Sequence, residues 1–219
     1  MRTDFRQQLE SLRADLGVMC ELAGDAVGHA TRALLDVDGD AAAQVTRSIG
    51  RLRYLHQAVE RRTLAILAKQ APVAGDLRRV VTAIHVAADA DRMGGLASHV
   101  AKVGLRRHPD SAAPPQLHTR FDEMGSTAMR LADYCRDILI TGDCSQADRV
   151  RSEDRLMETM HRELFAEVMS SRWTHGPVVA SDVVLLGRFY GRFADHADEI
   201  ARRMVFQTSG EPLARNLAV

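Results

Sequence analysis

The stretch GRFADHADEIARR, Gly191 to Arg203, sets Asp195, Asp198 and Glu199 within five residues, with His196 among them and arginines on either side. Carboxylates clustered in this way serve two chemistries. They supply oxygen ligands to a hard cation, or they pair with neighbouring guanidiniums on a solvated helix face. Asp198 with Arg202 and Glu199 with Arg203 have the i,i+4 spacing of the second use, which stabilises a helix by about 0.2–0.5 kcal/mol for each pair. A hundred residues earlier, DRMGGLASHVAKV from Asp91 to Val103 repeats the frame: Arg92 aligns with Arg192, Ala97 with Ala197, Val100 with Ile200 and Ala101 with Ala201.

Other reactive constellations fail on inspection. No GxSxG, Walker A loop or HExxH occurs, and the nine histidines are scattered, so the parts of an activated nucleophile or a zinc protease are lacking. Glu158 and His161 have the Glu-x-x-His spacing of a ferritin-like di-iron bundle, but that site needs two such pairs and the matching place in the first half reads LHQA. Trp173, beside THGP, suits core or cap packing better than stacking on a ligand. Cys20, Cys135 and Cys144 are odd in number and lack CxxC spacing, which points to ordinary buried thiols in a reducing compartment.

Composition removes further classes. Lys and Arg number 29 and Asp and Glu number 29, so no global basic field exists to draw the chain to nucleic acid. The opening MRTDFRQQLESLRADL has no apolar signal region, and no run approaches the ~18 apolar residues of a membrane span. A cytoplasmic protein without membrane insertion is expected. At 219 residues the chain has enough surface to bury that it needs no metal or disulfide to fold.

The elements that must hold the charged segments are helices. All six prolines fall at breaks, and with DVDGD at 36–40 and TGD at 141–143 they leave six long segments: about 4–35, 41–69, 76–106, 117–140, 144–171 and 178–208. Leu9, Leu12, Leu16, Met19, Ala23, Ala26, Ala30 and Ala33 alternate spacings of three and four, as do Phe121, Met124, Ala128, Leu131, Cys135 and Ile138. Asp4 with Gln7 and Asp143 with Gln146 have capping-box spacing. Nothing reads as a strand. The proline-rich linker, residues 107–116, separates two triplets of helices, residues 1–106 and 117–208, with a tail from 209 to 219. The fold class is all-α, two similar three-helix bundles side by side.

On the sixth helix Leu186, Phe189, Phe193, Ala197, Ile200 and Met204 form the apolar stripe, which leaves Arg188, Gly191, Arg192, Asp195 and Glu199 on the other face. On the third, Met93, Leu96, Val100 and Val103 form the stripe, with Asp91, Arg92, Gly95 and His99 away from it. Gly94 with Gly95, and Gly187 with Gly191, each give up about 1 kcal/mol relative to alanine, which close approach of another helix would offset. If the polar faces of helices three and six meet, Asp91 and Asp195 come from matching places.

The stretch PVAGDLR, Pro72 to Arg78, followed by ADADRMGGLASHVAKV and YGRFADHADEIARR, resembles the PhoU family of phosphate-signalling proteins over about residues 4–208. The resemblance implies two three-helix bundles. It also implies a cytoplasmic, non-catalytic negative regulator that contacts the ATPase subunit of the phosphate ABC transporter and a membrane sensor histidine kinase, while the sequence leaves monomer and homodimer both open. Arg78, Asp91, Arg92, Arg192, Asp195 and Glu199 are the candidate partner-binding residues. Arg78 and Arg79 open the third helix beside Asp76, where local pairing competes with an external acidic partner.

Family members place two carboxylates one turn apart in each half and chelate a divalent or iron ion with them. Here Asp91 and Arg92 stand, but Gly95 takes the place of the second acid; Arg192 and Asp195 stand, but Gly191 takes the place of the first. Asp91 and Asp195 are thus the metal candidates of a degenerate motif. Loss of the site is favoured over its rebuilding from both halves with Asp89, His99 or Glu199, because ligands on separate helices lack the i,i+4 geometry. A helical adaptor unconnected with phosphate is the alternative reading.

Overall fold

The structure is a computed structural model and describes residues 2–211. Six long helices follow one another: α1 Arg2–Leu35, α2 Gly39–Gln70, α3 Ala74–Leu105, α4 His118–Thr141, α5 Ala147–Val168 and α6 Gly176–Ser209. Single 3-10 turns, Pro115–Leu117 and Cys144–Gln146, lead into α4 and α5, so α5 is shorter at both ends than its sequence pattern suggests. The end of the predicted tail, 212–219, lies outside the described residues.

The breaks have identifiable causes. Asp38 caps α2 by accepting from the backbone N–H groups of Asp40 and Ala41 at 2.9 and 3.0 Å. Gly142 and Gly210 end α4 and α6 in the left-handed conformation, at φ 73° and 77°, where a residue with a side chain is strained. Neither expected capping box forms. α1 begins at Arg2, so Asp4 lies inside its first turn and accepts from Gln8 at 3.2 Å. Asp143 caps the 3-10 turn instead, holding the N–H and hydroxyl of Ser145 at 2.9 and 2.8 Å.

α1, α2 and α3 pack into one three-helix bundle and α4, α5 and α6 into a second, and the two join through α1 against α4 and α3 against α6. The predicted seams are the core: Leu12, Leu16, Met19, Ala23, Ala26, Ala30 and Ala33 on α1 are buried, as are all six named residues of α4. Buried side chains of both halves form one continuous cluster. Glycines let α1 and α4 approach closely. A Cβ added at Gly24 would lie 3.0 Å from that of Ala132, and one at Gly28 would lie 2.8 Å from the Met129 sulfur.

Buried polar contacts fix how the halves sit. Tyr190 on α6 donates to the Thr31 hydroxyl on α1 at 2.8 Å, and Thr31 donates to the Val27 carbonyl. Burial, the first cause, raises the Tyr190 pKa, with the Thr31 bond pulling the other way. The Arg106–Gln116 segment is anchored at its start, since Arg106 and Arg107 both bind Asp182 of α6, at 3.0 and 2.8 Å, and Asp182 is 3% exposed. Cys20 and Cys135 are fully buried free thiols, and burial pushes Cys20 up to about 12.

Candidate functional site

The repeated segments occupy α3 and α6, with their apolar stripes buried and Phe189 half-buried, stacked on His99 at 5.2 Å. Asp91 and Asp195 do not come together. Asp91 turns toward α2, where the His56 Nδ1 lies 3.8 Å from its carboxylate and Glu60 lies 3.7 Å from the same ring. Asp195 is exposed on the α5 side, close enough to raise the pKa of Asp154 and to act on His161. α3 meets α6 through other residues: Asp89 binds His196 at 3.0 Å and Arg203 at 3.5 Å, and Arg203 holds Glu199 at 2.7 Å. Asp89, His99 and Glu199, the residues from which a shared metal site would be rebuilt, are thus engaged in or beside the inter-bundle contact.

The glycines split into two kinds. A Cβ at Gly94 would sit 2.5 Å from Leu52 Cδ1, and one at Gly187 would sit 2.8 Å from Leu164 and 2.9 Å from His161, so these positions admit α2 and α5. Gly95 faces open space, and the nearest atom to a Cβ at Gly191 is His161 Nδ1 at 4.0 Å. Close approach therefore accounts for Gly94 and Gly187 and leaves Gly95 and Gly191 without a packing reason. Among the described residues no three of His, Cys, Asp and Glu are arranged to hold a metal ion. Asp91 and Asp195, on separate faces, do not combine into one donor set.

Crowded carboxylates set the electrostatics beside α6. Burial and then the charges of Asp198, Asp195 and Glu158 push Asp154 up to about 6, against Arg155. Burial also raises Asp198, opposed by Arg202 and Arg151. His161 is lowered by burial and Arg188, and Asp195 and Glu158 act in the other direction. Glu158 is exposed rather than turned into the bundle, so the Glu158–His161 pair does not build a di-iron centre. Trp173 is half-buried and donates to the Gly176 carbonyl at 3.0 Å, a role in the turn into α6.

Arg92 and Arg192 are exposed at equivalent places on α3 and α6, and among the described residues neither forms an ion pair; in particular Arg192 does not bind Asp195. Arg79 pairs with Asp76 at 3.2 Å, whereas Arg78 turns toward the end of α6. Sequence reasoning missed Asp182 and Tyr190, and it named Asp89 only as a possible metal ligand, not as the contact that joins α3 to α6. Asp182 and Tyr190 carry a signal in hindsight: each sits in an apolar register position of α6 where a polar atom demands a buried partner.

The chain matches the PhoU domain twice, over residues 16–103 and again over 121–204, one match in each bundle. It is 47% identical over 210 residues to the phosphate-specific transport system accessory protein PhoU homolog 2 of Mycobacterium tuberculosis, covering 96% of this chain and 99% of that one. It is 44% identical to PhoU homolog 1 of Mycobacterium leprae, covering 96% and 95%. The crystal structure of PhoU from Pseudomonas aeruginosa superposes with a TM-score of 0.85 at 24% identity, covering 94% of this chain and 100% of that one. With the double match and this identity over nearly its whole length, the chain belongs to the PhoU family of phosphate transport accessory proteins.

Proposed function

We propose that the protein restrains phosphate-starvation signalling by contact, docking onto the ATPase subunit of the phosphate ABC transporter and onto a sensor histidine kinase, without catalysing a reaction and without a resident metal. The observation that carries this reading is the pair Arg92 and Arg192. Two exposed guanidiniums at matching places on two helices, with no internal carboxylate, present planar forks to carboxylates of another protein. A cytoplasmic place follows from those partners, and no described helix is long and apolar enough to cross a membrane.

Deleting the gene and any paralogue should leave phosphate-starvation genes switched on in phosphate-rich medium, and the wild-type chain should restore repression. The doubly reversed variant Arg92→Glu/Arg192→Glu should fold normally by circular dichroism, because both side chains are exposed, yet fail to restore it. Ordinary repression in the deletion strain, or full rescue by the reversed variant, would remove the proposal.

A further inference from the structure

A cavity of about 550 Å³ opens at one end of the molecule, where the first turns of α1 and α3 meet the last turns of α4 and α6. Its floor is apolar, with Leu12, Leu16 and Met204, and its rim carries Arg6, Arg13, Arg78 and Arg79 against the single carboxylate of Glu10. That imbalance is local, since the whole chain is neutral. Each guanidinium has a different status. Arg13 is committed to the carbonyls of Leu139 and Ile140 at the end of α4. Arg79 leans on Asp76.

Arg6 and Arg78 are not so engaged. Arg6 is exposed and forms no ion pair among the described residues. The Nε of Arg78 is buried and has no acceptor. Its guanidinium lies over the left-handed end of α6, where a Cβ at Gly210 would stand 3.7 Å from its central carbon. That Nε is closed off from the cavity, but the rest of the Arg78 guanidinium lines it and forms no ion pair among the described residues, which leaves its charge for an anion from outside.

We propose that this cavity binds a multiply charged oxyanion bearing phosphoryl oxygens, held by Arg78 from within and Arg6 at the rim. Planar guanidiniums match phosphoryl oxygens in paired hydrogen bonds, which a singly charged halide cannot return. The space exceeds that of one tetrahedral ion and leaves room above the apolar floor, so the phosphoryl group is either free or carried by a larger molecule. The assignment does not rest on the docking reading: a chain that bound the anion but no transporter subunit would leave it standing.

Isothermal titration of the full chain with inorganic phosphate, pyrophosphate and ATP in turn, at constant ionic strength set with chloride, tests it. Saturable binding of at least one is expected, and the tightest of the three identifies whether the group is free, linked or carried on a nucleotide. Arg78→Gln should weaken that binding by about tenfold or more, the size expected for losing a hydrogen bond to a charged group. Arg6→Gln, on an exposed first turn where folding is not at stake, should weaken it by a smaller factor. No saturable heat with any of the three, or affinity unchanged in both variants, overturns the site.

Discussion

Along α3, residues 82, 83, 86, 87 and 90 are buried, and along α6 so are 182, 183, 186, 187 and 190, one packing pattern used twice at an offset of a hundred. Beside that shared pattern the charges part company. On the first half Asp91 stands near one imidazole; on the second, Asp154, Asp195, Asp198 and Glu158 crowd round α5 and α6. Burial restricts a position to side chains that fill the same space, whereas an exposed helix position tolerates either charge within a few tenths of a kcal/mol. A repeated scaffold therefore does not enforce a repeated site. Asp91 and Asp195 show this most directly: a hundred residues after Asp91 stands Gly191, and a hundred before Asp195 stands Gly95.

The buried pattern itself differs sharply at two register positions, Ala90 against Tyr190 in size and Thr82 against Asp182 in charge, and the second is the one that anchors the connecting segment. Asp182→Ala should have the largest effect. It strands two arginines, one of them largely exposed, so the loss is set below that of a fully buried pair, at about 2–3 kcal/mol. Thermal unfolding should then fall by about 5–10 °C for a chain of this size. Thr82→Ala should cost about 1 kcal/mol or less. Equal losses at the two positions would mean that the Asp182 contacts contribute nothing beyond filling space.

Neighbouring glycines sharpen the same contrast between packing and surface. Gly94→Ala adds a methyl 2.5 Å from the buried Leu52, and overpacking of about 1–3 kcal/mol exceeds the roughly 1 kcal/mol gained in helix propensity, for a net loss near 1 kcal/mol. Gly95→Ala meets open space and should stabilise by about 0.5–1 kcal/mol. In the second half Gly187→Ala should behave like the first of these and Gly191→Ala like the second. Urea denaturation resolves the signs, and a loss at Gly95 would show that its side is covered.

How far the sequence foretold this molecule depends on the kind of contact. Six helices, their breaks and the stripes on α1, α3, α4 and α6 were legible, because periodic burial writes itself into 3.6-residue spacing. Capping was read less well: the Asp4 and Asp143 boxes depend on where a helix starts to within one residue, which periodicity does not fix. Which way a charged face points was legible only relative to its own helix. Helical spacing places Asp91 and Asp195 opposite their stripes, but does not say that α2 and α5 lie there while Asp89 and His196 join α3 to α6. Contacts between side chains a hundred residues apart, such as Asp89 with His196 or Thr31 with Tyr190, leave no local pattern at all.

The smallest effect concerns the carboxylate crowd, which has no counterpart at the matching place in the first half, where Tyr54 stands exposed. Asp154 is raised from 3.8 to about 6, so the folded protein takes up a proton that the unfolded chain releases between those pH values. Folding is then favoured below about pH 4 by this group and loses that contribution as pH rises to 6. Asp154 is partly exposed, and screening holds the loss to less than about 1 kcal/mol. Asp154→Asn removes the group and relieves Asp198, which burial already pushes the same way. The variant and the wild-type chain should therefore match in stability near pH 4 and diverge by pH 7, with the variant the more stable. Urea denaturation of both at intervals from pH 4 to 7 measures that difference while the other carboxylates cancel. A gap that does not grow with pH, or one of the opposite sign, would show that these acids are solvated separately and that the two halves differ in charge without differing in strain.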